Sequence, residues 1–482
     1  MFNKKEKFYI TTTLPYVNAD PHIGFALEII QADVVARYYR NSGHEVFFNT
    51  GTDEHGLKIL RGAEKENLET QKYCDIYTQK NKELKESLNL SYDNFIRTTD
   101  KHHIYAVQKF WELCLKNGDI YKKNYKIKYC VGCELEKTES ELVDGKCPIH
   151  PNKEIEIVEE ENYFFRYSKY QKALLAFYEK NKHFVVPESR FNEIKEFTKR
   201  GLDDFSISRL KEKMPWGVSV PNDDKHVMYV WFDALVNYIS TLGWPENHKK
   251  FKDFWPGLQV AGKDNLRQQS SMWQAMLMSA GLPNSKKIFI HGFITANGQK
   301  MSKSLGNVIN PIELVKKYGT DAARYYLLRE IPPTEDGDFT YEKFEQRYNA
   351  DLAGGIGNLV ARVLGISTKI SNFKFEILNK IENKELKKEI KNTQKEVAEK
   401  LEDFRFNEAL AVIWELISFC DKYINDEKLW ETQNPKVIND LFFAIKEIAE
   451  LLGPFLPATS EKIKGMLEGR KIENLFPRLP KN

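Results

Sequence analysis

The sequence predicts an α/β protein with a parallel sheet split along the chain, an inserted domain and an all-helical C-terminal domain. Three observations predict this class. The chain opens with a strand-like, a helix-like and a second strand-like segment, Cys and His residues cluster in its first third, and apolar residues recur at helical spacing in its last quarter. Its 482 residues exceed one compact core and suit a multidomain enzyme.

The first unit of the predicted sheet is a strand over residues 8–13, a helix over residues 22–40 and a strand over residues 45–50. Two strands joined by a helix in this way are parallel, and ligands bind at the carboxyl ends of such strands. We therefore expect residues 52–56 to lie at a ligand site. Strand-like segments at residues 227–232 and 287–292 are expected to continue the α/β domain.

The charge is nearly balanced, with a formal net value of +3, and neither requires nor excludes a nucleic-acid partner. No apolar run has the length of a secretory signal or a membrane span. We expect a cytoplasmic protein without a membrane partner, in which cysteines stay reduced.

A Cys/His cluster marks the inserted segment: Cys130, Cys133, Cys147 and His150. Two knuckles separated by thirteen residues bring three thiolates and one imidazole into a closed tetrahedral Zn²⁺ site, which is structural rather than catalytic. The other three cysteines stand alone on helix-like segments and are expected to be packed: Cys74, Cys114 and Cys420.

The turn Pro21-His22-Ile23-Gly24 directly precedes the first predicted helix. Proline suits a first helical turn, free backbone N–H groups attract anions, and glycine lets a ligand approach the backbone. His22 is a candidate donor to a phosphate whose charge grows during a reaction. A histidine that only caps the helix is the alternative.

The glycine-flanked segment over residues 297–307 contains Lys300 and Lys303 together with two serines. Such a loop can close over a triphosphate, and lysine is a compact charge suited to a pyrophosphate leaving group. A solvated basic turn is the alternative.

Beyond about residue 350 the pattern is helical, and the Lys/Glu-rich stretch over residues 380–400 has the mixed signs of a solvated helix face. Asn358 and Arg362 share one helix face, and Trp430 follows an acidic turn. Amide, guanidinium and indole groups recognise single-stranded bases. From the residues alone a structural role is favoured, with Trp430 in a core.

Taken in order, these motifs resemble those of class I aminoacyl-tRNA synthetases, whose paired "HIGH" and "KMSKS" signatures match residues 22–25 and 300–304. The branch that acts on methionine is the best match, and the resemblance covers nearly the whole chain. It extends to these segments: residues 14–18, 51–56, 229–235, 262–264 and 358–362, with the Cys/His cluster and Trp430.

The resemblance implies a methionine–tRNA ligase that activates L-methionine with ATP to methionyl-adenylate and pyrophosphate. The methionyl group then passes to the 3′-terminal adenosine of initiator and elongator tRNA(Met). Mg²⁺ accompanies the nucleotide, and one structural Zn²⁺ is bound. Because no further β-barrel domain follows residue 482, we expect a monomer.

The implied domains are a Rossmann-type catalytic domain in two halves (1–117 and 227–297), a zinc-knuckle insert (118–226), the lysine-loop and stem-contact region (298–350) and a helical anticodon-binding domain (351–482). The implied catalytic residues are His22, Lys300 and Lys303. The implied ATP-binding residues are His22, Gly24, Gly262, Asp264 and Lys303. The implied methionine-binding residues are Leu14, Tyr16, Asp53, Trp231, Ala234, Tyr238, Asn265, Gln269 and Trp273. The implied metal ligands are Cys130, Cys133, Cys147 and His150, and the implied anticodon readers are Asn358, Arg362 and Trp430.

Three positions depart from the family pattern. Phe25 replaces the second histidine of the first signature, which removes one candidate phosphate donor. Asn265 replaces an apolar residue and Gln269 replaces a histidine, so this part of the amino-acid pocket is more polar than expected. Two alternatives remain open: a class I synthetase for leucine, isoleucine, valine or cysteine, which the short insert disfavours, and a catalytically inactive tRNA-binding protein.

Overall fold

The computed structural model describes residues 5–137, 141–301, 306–369 and 381–480. The chain forms two compact units. The first comprises Met1–Pro21, Gly43–Glu83 and Tyr92–Ile290, and the second comprises His22–Ser42, Leu84–Ser91 and His291–Asn482. The five-part domain division expected from the sequence stays a prediction.

The strands are β1 Lys7–Thr12, β2 Glu45–Thr52, β3 Asn94–Arg97, β4 Ile120–Cys130, β5 Leu135–Lys137, β6 Glu156–Phe165, β7 Val185–Val186, β8 Phe205–Ser206, β9 Ser208–Leu210, β10 Ser219–Val220, β11 Asp223–Met228, β12 Leu258–Gly262, β13 Lys287–His291, β14 Ile294–Ala296, β15 Gln299–Lys300 and β16 Gly337–Phe339.

The helices are α1 Ile23–Asn41, α2 Leu57–Lys65, α3 Thr70–Lys82, α4 Leu84–Ser87, α5 Lys101–Lys116, α6 Gln171–Lys180, α7 Glu188–Lys199, α8 Val230–Leu235, α9 Asn237–Ser240, α10 His248–Phe254, α11 Trp273–Ser279, α12 Pro311–Tyr318, α13 Thr320–Arg329, α14 Tyr341–Arg347, α15 Gly357–Ser367, α16 Lys384–Glu402, α17 Phe406–Asp426, α18 Leu429–Thr432, α19 Pro435–Leu452 and α20 Pro457–Leu467. Short 3₁₀ turns cover Tyr167–Tyr170 and Lys263–Asn265, and π-helical turns cover Gln268–Met272 and Tyr348–Ile356. No described helix is both long and apolar enough to cross a membrane.

A six-stranded sheet in the order β3-β2-β1-β12-β13-β7 organises the first unit. Strand β1 pairs in parallel with β2, from Lys7 opposite Glu45 to Thr11 opposite Asn49, and on its other side with β12. Aromatic and β-branched residues fill β1 and are buried there, as expected for a strand covered on both faces. The carboxyl ends of β1, β2 and β12 are therefore neighbours, which confirms the predicted parallel sheet and places residue 53 at its edge.

The predicted strand over residues 227–232 is wrong in its second half. Strand β11 ends at Met228 and pairs antiparallel with β9 and β10 in a separate small sheet, and helix α8 follows from Val230. On the side away from β2, β1 pairs with β12, a strand that was not predicted. A short apolar run has no period that separates a buried strand from a buried helix, and residues 227–232 are such a run.

The inserted segment is built on a long antiparallel pair. Strands β4 and β6 pair from Ile120 opposite Phe165 to Tyr129 opposite Glu156, with β5 and β8 at the two edges. Strand β4 ends at Cys130, so the sheet itself delivers the first residue of the Cys/His cluster.

The second unit contains the predicted C-terminal helices. In α16 the buried side chains form one stripe, while the Lys and Glu residues face solvent, so the expected solvated face is confirmed.

The predicted packing of the three lone cysteines is also confirmed: Cys74 in α3, Cys114 in α5 and Cys420 in α17 are all fully buried.

A fully buried guanidinium joins four segments of the second unit. Arg324 of α13 bonds Asp33 of α1 at 2.8 Å and also donates to the carbonyls of Leu88, Pro454 and Phe455 at 2.7–3.0 Å. Asp33 additionally accepts from Ser91, through the backbone amide at 2.7 Å. Burial alone would disfavour the charged forms, but with a paired carboxylate and three carbonyl acceptors the guanidinium is well satisfied. Helix α1 is thus fastened to the turn between α19 and α20.

Candidate active site and metal centre

The loops after β1 and β2 meet at the carboxyl edge of the main sheet. Tyr16 and Asp53 form an isolated parallel bridge, with Asp53 N donating to the Pro15 carbonyl at 3.0 Å and Val17 N to the Asp53 carbonyl at 3.3 Å. These backbone bonds fix two predicted pocket residues side by side. Leu14 lies half-buried in the same loop.

Three buried polar atoms in this region have no hydrogen-bond partner among the residues that the structure describes: Tyr16 Oη, Asp53 Oδ1 and Trp231 Nε1. Buried polar groups are nearly always paired, so such orphan atoms indicate where a ligand supplies the missing partners. A carboxylate acceptor beside a phenol fits a small cationic ligand with an apolar body.

The electrostatics of this carboxyl group are unusual. Burial raises the pKa of Asp53 well above its usual value, and the nearby charge of Asp233 raises it further. Asp233, at the centre of α8, accepts from His55 Nδ1 at 2.5 Å and His103 Nε2 at 2.8 Å. Burial opposes ionisation of Asp233, but the two histidines outweigh burial and lower its pKa. Asp233 is therefore an anion with its own partners, whereas Asp53 gains most from a cation that a ligand brings.

A second group of predicted pocket residues lies on α8, on α9, on the π-helical turn and at the start of α11. Gln269 Nε2 donates to the Tyr238 hydroxyl at 2.6 Å, and the rings of Tyr238 and Trp273 are 6.0 Å apart. Ala234, one helical turn before Tyr238, is also buried. The structure thus brings Gln269, Tyr238 and Trp273 together, with Ala234 on the helix that leads to Tyr238.

The remaining predicted residues of the first unit follow β12. Gly262 ends that strand and is buried, while Asp264 lies exposed in the following 3₁₀ turn. Asn265 is half-buried and donates from Nδ2 to Asp264 Oδ1 at 3.2 Å. The amide that replaces the family's apolar residue therefore bonds the neighbouring carboxylate.

The Cys/His cluster has the geometry of a metal centre. The ligand atoms of Cys130, Cys133, Cys147 and His150 all lie within 4.8 Å of one another, with Cys133 Sγ 3.5 Å from Cys147 Sγ and 3.2 Å from His150 Nδ1. Tetrahedral zinc with bonds of about 2.3 Å to sulfur and 2.0 Å to nitrogen sets ligand atoms roughly 3.5–3.8 Å apart. The residues therefore fit Zn²⁺.

Gly132 lies within this knuckle because nothing larger fits. A Cβ atom at this position would lie 2.5–2.8 Å from the imidazole ring of His150. The close approach of the backbone to the His150 ring explains why the residue directly before Cys133 is glycine.

Glu134 connects the metal centre to the pocket region of the same unit. Directly after Cys133, its carboxylate accepts from the Lys58 backbone amide at 2.5 Å and from the Tyr129 hydroxyl, and its carbonyl accepts from the Tyr229 hydroxyl. Lys58 lies in the first turn of α2, shortly after Asp53 in the chain, and Tyr229 immediately precedes α8. The knuckle thus holds two segments that lead to pocket residues.

In the second unit, His22 is the N-cap of α1. Its Nδ1 accepts from Gly24 N at 3.0 Å, so the predicted capping role is present, and Pro21 precedes the cap instead of opening the first turn. Because Nδ1 is the acceptor, the neutral ring carries its proton on Nε2. His22 is solvent-exposed, and partial desolvation by the surrounding protein lowers the pKa of its imidazole, which favours this neutral form.

The predicted lysine loop begins as a hairpin. Strands β14 and β15 are joined by Asn297 and Gly298, both with positive φ, and Gly298 N donates to Asp338 Oδ1 at 2.7 Å. Lys300 ends β15 and is exposed, whereas Lys303 lies outside the described residues. Two residues after the loop, the Ile309 carbonyl accepts from Ile23 N at 3.1 Å. The segment that follows the loop therefore contacts the first residue of α1.

The three candidate base readers lie in the helical part of the second unit. Asn358 is exposed on α15, and Arg362, four residues on, bonds Asp421 Oδ1 and Asn425 Oδ1 at 2.9 Å. Trp430 is 50% exposed on the short helix α18, which is flanked by Lys428 and Gln433 with positive φ. The interpretation of Trp430 as a core residue is therefore wrong.

Sequence reasoning did not single out Asp233, His55, His103 or Glu134 as functional residues. The first two stand inside the segments that carry the family resemblance, and Glu134 adjoins a ligand cysteine, so motif position was the available signal. His103 has no such signal, because only the fold brings α5 to α8.

Comparison with known proteins agrees with this arrangement. The family model described as tRNA synthetases class I (M) matches residues 8–156 and 137–364, and that described as the anticodon-binding domain of tRNA ligase matches residues 383–480. Methionine–tRNA ligase of Thermotoga maritima is 44% identical over 95% of this chain and 74% of its own length. That of a Nostoc species is 43% identical over 96% of this chain and 90% of its own length.

Solved structures are similar as well. Methionyl-tRNA synthetase of Mycobacterium tuberculosis in complex with methionyl-adenylate matches with a TM-score of 0.90 and 35% identity, covering 99% of both chains. The free form of that enzyme matches with a TM-score of 0.85 and 32% identity over 100% of both chains. The predicted split α/β domain with a cysteine-rich insert and a helical C-terminal domain is confirmed.

Proposed function

The chain belongs to the methionine-specific class I tRNA synthetases, and on this premise we propose that it joins L-methionine to tRNA(Met) at the expense of ATP. The carrying observation is the orphan carboxylate oxygen of Asp53, buried beside the orphan phenol of Tyr16. A methionine ammonium would satisfy that oxygen, and aromatic walls suit a polarizable thioether.

The proposed reaction has two steps. In the first, the methionine carboxylate attacks the α-phosphate of ATP, a bond to the α-phosphate forms, and pyrophosphate leaves. In the second, the 3′-terminal adenosine hydroxyl of the tRNA attacks the methionyl carbonyl, and AMP leaves. Neither step needs an enzyme nucleophile, so we assign rate enhancement to positioning and electrostatic stabilisation.

The roles of the phosphate residues follow from their chemistry. His22 donates from Nε2 to a phosphate oxygen, because Gly24 N occupies Nδ1. Lys300 and Lys303 neutralise the leaving pyrophosphate, and Gly24, Gly262 and Asp264 are assigned to ATP. Mg²⁺ arrives with the nucleotide and supplies further charge neutralisation when bound.

The direct test is pyrophosphate exchange into ATP with purified protein. We expect exchange that depends on methionine and then methionyl transfer to tRNA(Met). A panel with leucine, isoleucine, valine and cysteine tests the other class I specificities. Tight tRNA binding without exchange for any amino acid would overturn the proposal in favour of an inactive tRNA-binding protein.

The substitution Gly24→Ala should slow adenylate formation at least about tenfold, since one phosphate donor contributes on the order of 10²-fold or more. A Cβ at residue 24 would lie 2.8–2.9 Å from the His22 ring and displace it. Single-turnover formation of methionyl-adenylate measures the effect. Gly365→Ala is the matched control, because its Cβ meets nothing within 4 Å; equal rates in both variants would contradict the assignment.

The apparent affinity for methionine should rise with pH. Asp53 has a pKa raised by burial and by Asp233, so it stays protonated to higher pH than an ordinary aspartate. Only the carboxylate pairs with an ammonium group, and binding must therefore release this proton. kcat/KM for methionine, measured between pH 5.5 and 8, should increase until Asp53 is ionised in the free enzyme. A profile that falls over this range would contradict the expectation.

Removing the exposed indole should weaken tRNA recognition alone. Stacking of one base on an aromatic side chain contributes about 1–3 kcal/mol, so Trp430→Ala should raise KM for tRNA(Met) roughly 5- to 100-fold. Pyrophosphate exchange without tRNA should not change. Ile472→Ala, another exposed apolar residue, is the control; an equal effect there would remove Trp430 from the proposed anticodon readers.

Three expectations stay predictions. The cytoplasmic location is supported by the Cys/His cluster, which needs reduced thiols to hold zinc. The monomeric state and the use of both initiator and elongator tRNA await light scattering and aminoacylation of the two purified tRNAs.

A further inference from the structure

Glu28 and His291 form a buried pair to which the proposed reaction assigns no role. Glu28 lies on α1, less than two helical turns after His22, and His291 ends β13 shortly before the hairpin of β14 and β15. Both side chains are at most 6% exposed, and His291 Nε2 lies 2.9 Å from Glu28 Oε2. The pair belongs to the second unit, as do His22 and Lys300.

The other ring nitrogen of His291 determines where the protons are. His291 Nδ1 lies 2.7 Å from the Gly292 carbonyl, which can only accept, so Nδ1 carries a proton and donates it. Without a further proton, Nε2 and the Glu28 oxygen would be two acceptors facing each other at 2.9 Å, which repel. One proton is therefore shared between Nε2 and Oε2. The pair as a whole then carries no net charge, which suits its burial.

The His291 side of the pair leads directly into the hairpin. The Phe293 amide donates to Asp336 Oδ1 at 2.9 Å, which holds the chain just before β14. Between them, Gly292 passes so close to the Glu335 carbonyl that a Cβ atom at this position would overlap it. A displacement of His291 is therefore passed on to the hairpin, because the intervening residues have little room to absorb it.

Helix α1 also holds the chain beyond the hairpin. Asn307 Nδ2 donates to the Lys300 carbonyl at 3.2 Å, and Ile23 N donates to the Ile309 carbonyl at 3.1 Å. Ile23 and Glu28 are separated by about 7.5 Å along the helix axis. One helix thus contacts the chain on both sides of Lys300, once through its backbone and once through the Glu28 side chain.

We propose that Glu28 and His291 are positioning residues for adenylate formation. Their shared proton fixes the hairpin of Lys300 to the helix that His22 caps, and so sets the separation of two groups assigned to phosphate oxygens of one ATP molecule. This inference rests on the proposed function. A displacement of about 1 Å caused far from the reacting atoms can lower a rate on the order of 10²-fold.

The test is the single-turnover rate constant for methionyl-adenylate formation at saturating ATP and methionine. Glu28→Met has nearly the same length but shares no proton, so the rate constant should fall about 10- to 100-fold. Glu28→Gln should stay within about threefold of the unaltered protein, because its NH₂ group donates to Nε2 of a neutral His291. The rate constant reports active molecules only, and the amplitude reports their number, so partial unfolding does not imitate the effect.

His291→Phe breaks the pair from the other side and should slow adenylate formation by a similar factor. It carries the test if too little Glu28→Met protein folds. Adding Glu28→Met to His291→Phe should lower the rate constant no further, because the shared bond is already lost.

Gln31→Met is the matched control and should leave the rate constant unchanged. Gln31 is buried on the same helix, and its Oε1 has no hydrogen-bond partner among the residues that the structure describes. The dissociation constant for methionine, measured without ATP, should be unchanged in every variant, since all residues proposed for methionine belong to the first unit.

Equal rate constants in Glu28→Met and Gln31→Met would overturn the inference, and so would a Glu28→Gln variant as slow as Glu28→Met. Weaker methionine binding in Glu28→Met at an unchanged rate constant would also overturn it. These outcomes differ from failure of the proposed function, which would appear as absence of methionine-dependent adenylate formation in the unaltered protein.

Discussion

Asp53→Asn is expected to raise KM for methionine by roughly two to four orders of magnitude. Removing one partner of a buried ion pair costs about 3–5 kcal/mol, because the other charge is left without compensation. In Asp53→Asn, one orientation of the amide points its NH₂ group at the methionine ammonium, which repels it. The other orientation offers an oxygen without negative charge. Asp53 Oδ1 has no hydrogen-bond partner among the described residues, and although the Lys58 ammonium lies near this carboxyl group, a ligand ammonium is the partner that Oδ1 lacks.

Steady-state pyrophosphate exchange over a wide range of methionine concentrations measures this effect. Asp20→Asn is the matched control, since Asp20 is exposed and pairs with Lys80 at 2.6 Å, a kind of surface pair that contributes at most about 1 kcal/mol. Without methionine, the Asp53→Asn protein should fold normally. Burial already disfavours the charged form of Asp53, so a neutral amide at this position removes no stabilising charge. A KM within threefold of the unaltered protein would remove Asp53 from the amino-acid site.

Loss of one cluster ligand is expected to abolish zinc binding and to impair methionine binding at the same time. In small zinc-binding peptides, the free energy of zinc binding is about 10–16 kcal/mol, and this free energy drives their folding. Cys133→Ser should therefore reduce bound zinc from about one per chain to a small fraction. Glu134 follows Cys133 and bonds Lys58 N and Tyr229, so disorder of the knuckle should raise KM for methionine as well.

Metal analysis by mass spectrometry and exchange kinetics on the same preparation measure the two effects. Gly132→Ala retains all four ligands but crowds the His150 ring, and should lower zinc affinity. Cys420→Ser, at a buried cysteine of α17 outside the cluster, is the control and should keep full zinc content. Full occupancy in Cys133→Ser would refute the ligand set.

The parts of the fold that local pattern determines were predictable. Residues 8–13 and 45–50 are rich in β-branched and aromatic residues and stand on either side of a long helical pattern, a combination that favours a parallel pair. The metal centre was predictable because short spacings between ligands survive folding with little freedom. Strand β12 was not, since its five residues carry no period and owe their conformation to pairing with β1.

For the proposed methionine pocket, strand pattern indicated only that residues 52–56 lie at a ligand site, and the family resemblance named the individual residues. Tyr238 carries no local signal of its proposed role. Asp233, with one histidine from β2's loop and another from α5, and Gln269 with its partner Tyr238 become a network only through contacts between distant segments. Such a network is a property of tertiary structure, which spacing along the chain does not encode.

The buried Arg324 also bears on how this kind of protein can be recombined. Helix α1, which His22 caps, carries Asp33. The Arg324 guanidinium that pairs with Asp33 also donates to the backbone carbonyls of Pro454 and Phe455, in the turn between α19 and α20. A C-terminal region borrowed from a relative would have to bring carbonyls to the same places, or leave an arginine stranded in the interior. A chimaera joined near residue 350 would therefore have to keep these carbonyls in place or exchange the first helix as well.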